Sequence, residues 1–239
     1  MRAFDLVQNF LTLLVIPFLA TVVGVAAIPA VWFFLEVRAI LVNESEFIEL
    51  IGTGIILGMS SMMWGISLVL LCGFLGGAFR PRLETGRYPL RSFVTIQWAW
   101  SMVFHRIAQL FLHVLVPSFI GTLYYRMAGA KIGSGCQLNT PNLNDAGSVI
   151  LGNRVVLGGN ATINAHLTEK GELVMAPVTI GDDALIGTGA VVQPGCNIGI
   201  GTVIASRAVV AKWTDVPDGE VWGGIPAKRI RLADGSKPD

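Results

Sequence analysis

"IGDDALIGTGAVVQPGCNIGIGTVIASRAVVAKWTD", residues 180–215, repeats itself every six residues. Ile180, Ile186, Val192, Ile198, Ile204 and Val210 open successive hexads, and Ala184, Ala190, Cys196, Thr202, Ala208 and Thr214 follow four places later. Six-residue repetition is the signature of a β-helix. Short strands form the flat sides of a triangular coil, three hexads to a turn. The aliphatic residue points into the prism, and the small residue fits where two walls converge. Each coil covers the apolar edge of the next, so the repeats are stable only as a stack.

Upstream, the same rule holds at Leu151, Leu157 and Ile163, and it begins at Ile132. Two interruptions break it. After Ile163 the next aliphatic slot falls on Glu169, and the register resumes by count at Val174, an insertion of five residues. An insertion of that kind leaves the wall, and it does so beside His166. The second slip lies in "NTPNLNDAGSVI" (139–150), where Asn144 stands in an aliphatic slot.

The other half of the chain is built differently. Of 239 residues, 53% are hydrophobic and only 14% charged, against about 25% charged in an ordinary soluble domain. The depletion is local, because residues 6–35 and 50–79 contain no charge. Segments 11–35 and 50–79 each exceed the roughly 20 residues that cross a bilayer. The first is about twice the length of a signal-peptide core, so an uncleaved helix is expected. A membrane helix tolerates Pro17 and Pro29 where neighbours satisfy the freed carbonyls. The loop between the two, "EVRAILVNESEFIE" (36–49), has four glutamates and one arginine, whereas "RPRLETGRYPLR" (80–91) carries Arg80, Arg82, Arg87 and Arg91. The positive-inside bias puts both ends of this hairpin in the cytoplasm. The arginine cluster itself reads as a lipid-headgroup anchor.

Residues 93–120 are mostly apolar and aromatic, and Gln97, Ser101, His105, Gln109 and His113 recur along them as one polar residue every four. That stripe suits a helix in the membrane interface, or one whose polar side faces a cavity. The expected domains are a membrane hairpin with its basic segment (1–92), an interfacial or re-entrant amphipathic helix with a connector (93–130), and an all-β parallel β-helix domain with a tail (131–239). A net charge of +1 gives no nucleic-acid footprint. Cys72, Cys136 and Cys196 are odd in number and far apart, which argues against a disulfide framework and a zinc site.

The run from "INAHLTEKGELVMAPVTIGDDALIG" (163–187) to the closing "VPDGEVWGGIPAKRI" (216–230) resembles the hexapeptide-repeat acyltransferases, especially their galactoside and maltose O-acetyltransferase branch. The resemblance covers roughly 130–232. "GRYPLRSF" and "YYRMAGAKIG" are similar to the membrane-embedded C-terminal region of polylysine-synthetase-type peptide synthetases, without their adenylation or carrier domains. The family likeness implies a homotrimer of left-handed β-helices with active sites between prisms. It also implies direct acyl transfer from acetyl-CoA or another acyl-CoA to a hydroxyl or amine, with no tightly bound cofactor and no metal. By position, His166 matches the catalytic histidine, and an imidazole titrating at about 6.5 can deprotonate an attacking hydroxyl at neutral pH. Asn164, Glu169 and Glu172 are the nearby groups that could orient it. Gly187, Ala205 and Ser206 match the backbone along the pantetheine arm. Lys212, Lys228 and Arg229 match the cations near the CoA phosphates, a role that suits their charge. Asn139, Asn142 and Asp145 align loosely with the acceptor-binding region.

The expectation is therefore a membrane-anchored acyltransferase, facing the cytoplasm from the inner membrane and acting on a membrane-associated acceptor. A carrier-protein thioester as donor, with amide or peptide-bond formation, is the first alternative. A non-catalytic trimeric scaffold is the second. A hexapeptide-fold carbonic anhydrase needs several histidines on zinc, and only one of the three lies in the repeat.

Overall fold

A computed structural model describes residues 3–80 and 84–237, the side chains from Leu6 onward. Arg82 lies outside the described residues. Contacts divide the chain into two units, 1–71 and 72–239.

The first unit is helical. α1 (Ala3–Ala39) continues through Pro17 and Pro29, and α2 (Glu46–Ala78) starts here and ends in the second unit. The Trp64 indole N–H donates to the Val23 carbonyl at 3.3 Å, and Arg38 lies 3.6 Å from Glu49. Leu13, Ile28, Trp32, Leu50 and Leu57 are all exposed. At 1.5 Å per residue, 37 helical residues reach about 55 Å, beyond the roughly 30 Å of a hydrocarbon core. Both helices are long and apolar enough to cross a membrane.

The second unit is built on a three-walled parallel coil. One wall stacks Lys131–Ile132, Val149–Leu151, Val178–Ile180, Asn197–Ile198 and Asp215–Val216. The next stacks Gln137–Leu138, Val156–Leu157, Leu185–Ile186, Val203–Ile204 and Val221–Gly224, with Ala227–Arg231 folded back antiparallel on its end. The third holds Leu143–Asn144, Thr162–Asn164, Val191–Val192 and Val209–Val210. Ile180 pairs with Ile198 and Ile198 with Val216, so one coil is 18 residues, three hexads. Leu157, Ile163, Ile186, Val192, Ile204 and Val210 are fully buried. Each such side chain contributes roughly 1.5–3 kcal/mol by leaving water. The small positions are occupied as the hexad requires. Ala184, Ala190, Cys196 and Thr202 are buried, and the Thr202 hydroxyl donates to the Pro217 carbonyl at 2.8 Å. At Gly187 a Cβ would collide with the Ala205–Ser206 backbone of the next coil, so close stacking accounts for that glycine.

Counting alone misplaces both interruptions. Ile163 pairs with Val192, 29 residues on, so eleven residues leave the wall rather than five. Val174 is not the next inward residue of the coil; it is buried in a hairpin outside the three walls. At the earlier slip it is Leu143, not Asn144, that points inward, paired with Ile163 and fully buried. Asn144 instead donates to Asn164 Oδ1 at 2.7 Å. The corner that follows takes up the extra residues in a single turn, Ala146–Ser148.

Segment 93–120 is not one helix. α3 (Phe93–Leu115) and α4 (Phe119–Met127) meet at Val116–Ser118. Pro117 cannot donate to the helix and pushes Val116 to extended backbone. Ser118 then caps α4, accepting from the Ile120 and Gly121 amides.

Candidate functional site

The inserted residues form a β-hairpin, His166–Glu169 with Glu172–Met175, closed by Lys170 and Gly171. Both turn residues have positive φ, 50° and 79°, the two-residue turn whose twist matches paired strands. Leu173, Val174 and Met175 are buried, which explains why the insertion folds instead of trailing as a loop. Strand Gly86–Pro89 adds to the hairpin as a third, antiparallel member. From it, Arg87 pairs with Glu169 and, at 3.3 Å, with Glu172, and Lys212 pairs with Glu169 from the coil. These cations hold the Glu169 carboxyl below the usual carboxylate range, Lys212 contributing most. At the base, the Ala176 amide donates to the Ala165 carbonyl at 2.9 Å. His166 is thus the first residue off the wall, anchored from both sides.

Across from it stands Asp145, on the corner made by the earlier slip. Its φ is 59°, a left-handed conformation that aspartate tolerates better than most residues. His166 Nδ1 hydrogen-bonds Asp145 Oδ2. The other carboxylate oxygen, Oδ1, accepts from the Trp98 indole N–H of α3 at 2.8 Å. The Trp98 ring also covers the imidazole, centroids 4.6 Å apart at an interplanar angle of 59°. The Asp145 side chain is 6% exposed and that of His166 20%. A carboxylate can only accept, so it fixes the imidazole proton on Nδ1 and leaves the Nε2 lone pair to act as a base.

A cavity of about 110 Å³ lies on the Asp145 side, lined by Arg80, Trp98, Ser101, His105, Ser148 and Met175 among others. Of the polar stripe of α3, Ser101 and His105 face this cavity, whereas His113 is exposed. His105 is buried, with Nδ1 2.8 Å from the Tyr124 hydroxyl and Nε2 3.2 Å from Gln109. Burial pushes its pKa down to about 4, against a smaller opposing pull from Asp145. The residues of α3 and α4 turned to solvent include Phe93, Leu110, Val114, Phe119 and Leu123, with Arg106, His113 and Arg126 among them.

The structure brings together only some of the expected site residues. Asn164 is held by Asn144, while Glu169 and Glu172 are held by Arg87 and Lys212. The group on the imidazole is Asp145, which the alignment had placed with the acceptor. Asn142 directly precedes that wall strand, its backbone N–H donating to the Thr140 hydroxyl at 3.2 Å. Asn139 lines a separate cleft with Phe119 and Arg126. Arg229 donates to the buried Glu220 at 3.0 Å, and Lys228 is exposed. Ala205 and Ser206 sit at a coil corner under Gly187 and beside Gly223. Trp98 and the clamp made by Arg87 went unread in the sequence. Nothing local in "TIQWAW" distinguishes Trp98 from its aromatic neighbours. Among the described residues, no group of three or more His, Cys, Asp or Glu side chains could hold a metal ion.

No family model matches the chain. It is 29% identical over 157 residues to a putative acetyltransferase, YvoF, from Bacillus subtilis, covering 62% of this chain and 90% of that one. The galactoside O-acetyltransferase of Escherichia coli is 33% identical over 91 residues, 35% of this chain and 44% of that protein. The delta-poly-L-ornithine synthetase of Acinetobacter baumannii is 26% identical over 148 residues, 62% of this chain and 11% of that protein. The chain therefore spans less than half the length of two of these relatives. Among solved structures, a maltose O-acetyltransferase from Clostridium difficile has a TM-score of 0.48 at 18% identity, over 65% of this chain and 94% of that one. A galactoside acetyltransferase in complex with coenzyme A has a TM-score of 0.41 at 22% identity, over 55% and 82%. Two of these three relatives are named acetyltransferases, and the sequence likeness supports an acyltransferase. The named relatives include both an O-acetyltransferase and a polymer synthetase.

Proposed function

We propose that this protein is a membrane-anchored acyltransferase that moves an acetyl group from acetyl-CoA directly to a hydroxyl or amine of a membrane-associated acceptor. The observation that carries the reading is the His166–Asp145 pair beside the hairpin. His166 Nε2 takes the acceptor proton as the oxygen or nitrogen attacks the thioester carbonyl. The C–S bond then breaks, and the imidazolium returns the proton to the CoA thiolate. Asp145 stabilises the imidazolium and keeps the tautomer correct. On this reading α1 and α2 cross the membrane as a hairpin, with both ends in the cytoplasm. The exposed apolar residues of α3 and α4 rest on the bilayer. The coil is left-handed and assembles as a trimer, with Lys228, Ser206 and the neighbouring backbone available to the nucleotide.

A second reading, with a carrier-protein thioester as donor, is favoured by one observation, the match to the polyornithine synthetase. Both are tested with the full chain in native membrane vesicles given radiolabelled acetyl-CoA. The expected result is label in the lipid-extractable or membrane fraction, lost in His166→Ala. Label that appears equally with His166→Ala overturns the assignment. Label that passes only to a soluble sugar overturns the membrane acceptor. Transfer that requires a loaded carrier protein supports the second reading.

A further inference from the structure

Three features of the second unit stand outside the mechanism: the cavity beside Asp145, the exposed apolar residues of α3 and α4, and Trp98. Trp98 is the one with a direct bond to the dyad. We infer that Trp98 is a positioning residue for the acyl transfer, so that the catalytic centre is completed by helix α3 and not by the coil alone. The inference rests on the proposed acyl transfer and adds a residue and a dependence to it.

The case begins with what the coil lacks. Asp145 sits on an irregular corner with a left-handed backbone, one residue past the last wall pair, Asn144 with Asn164. The corner turn Ala146–Ser148 makes no hydrogen bond with the Asp145 side chain. The carboxylate has two oxygens to satisfy, and its side chain is almost wholly removed from water. His166 takes one of them. The second is satisfied from outside the coil, by the Trp98 indole at 2.8 Å. A buried acceptor left without its donor would be costly, so the indole N–H determines which way the carboxylate faces. The same ring packs on the imidazole and shields one of its faces from water, which strengthens the carboxylate–imidazole interaction. Trp98 therefore fixes both members of the pair at once.

Helix α3 is in turn held where it is by its own inward polar residues. Gln109 donates to the Pro141 carbonyl at 3.4 Å, and His105 is locked to Tyr124 of α4. A shift of α3 would pull the indole from Asp145, so the geometry makes turnover depend on the seating of a helix whose exposed side mixes Leu110 and Val114 with Arg106 and His113.

The test is a double-mutant cycle on the full chain in detergent or vesicles, with acetyl-CoA and any acceptor fraction that the wild type labels. Trp98→Phe keeps an aromatic ring and removes the N–H. It is expected to lower kcat about ten- to a hundredfold, the span of a hydrogen bond to a charged group, with KM for acetyl-CoA within twofold and a single cooperative melt lowered by only several degrees. In an Asp145→Asn background the same substitution should have little further effect, because coupled groups are non-additive. Full kcat in Trp98→Phe overturns the inference. A multiplicative loss in the double variant overturns it too, by showing that Trp98 acts other than through Asp145. A wild type without transfer, or an active His166→Ala, would instead sink the acyl-transfer reading itself.

Discussion

The coil and its interruptions obey different rules. Between Ile180 and Val216 every inward position repeats at a fixed spacing, and each hexad needs only its neighbours above and below. At the two interruptions, Leu143–Ser148 and His166–Met175, nothing repeats, and Asp145, His166 and Glu169 are held by groups distant in sequence. Asp145 is tied to Trp98 and His166, 47 residues before it and 21 after it. Regularity supplies a rigid wall. The departures from regularity supply two opposed polar side chains at one edge, which a perfect prism would not present. The proposed chemistry sits where the repeat fails.

The largest effect should follow from breaking the irregular part. Asp145→Asn offers an amide where a carboxylate stood and permits the wrong imidazole tautomer. On the order of a 10⁴-fold loss in kcat is expected, with the fold retained. Preserved turnover in a steady-state assay would show that the dyad is not the base. The regular part should behave in the opposite way. Ile186→Ala removes a fully buried side chain and should cost roughly 2–5 kcal/mol of stability. A denaturation midpoint equal to the wild type would show that the coil does not stack as one cooperative unit.

A third prediction concerns pH. His105 has its folded pKa depressed to about 4 by burial, while an unfolded histidine titrates at about 6.5. Between these values the unfolded chain binds more protons, so stability falls as pH drops from 6.5 towards 4 and is flat above 6.5. The loss should approach about 3 kcal/mol, and His105→Gln should flatten the dependence. Parallel curves for the two proteins would remove His105 from that account. The smallest effect is expected at the clamp. Glu169→Gln weakens partly solvated pairs with Arg87 and Lys212, and surface pairs contribute little. A change in kcat of less than about threefold is expected, and a larger drop would show that the hairpin needs the clamp to place His166.

Much of this could be read from residue order. A hexad pattern depends on side chains that recur along the chain, and so Ile180 to Val210 announced their walls directly. The two long apolar segments were equally legible, because length and absence of charge are local properties. The size of the insertion was not, since Val174 is aliphatic and satisfies the count, yet it is buried in a hairpin instead of the prism. The break of α3 at Pro117 has a plain local cause that a stripe counted every four residues passes over. His166 could be singled out because a lone polar residue interrupts an apolar rhythm. Its partner could not be chosen, because Asn164, Glu169 and Glu172 are near in sequence and Asp145 is near only in space.

The sequence alone determined the period, the inward residues and the apolar segments, since each follows from the physical character of residues repeated or grouped along the chain. The tertiary structure alone decided which carboxylate meets the imidazole and that an indole from α3 holds it. Those contacts join stretches 21 and 47 residues apart. Which of several chemically suitable groups comes within hydrogen-bonding distance is set by how the corner, the hairpin and the helix pack, and not by how far apart they stand in the chain.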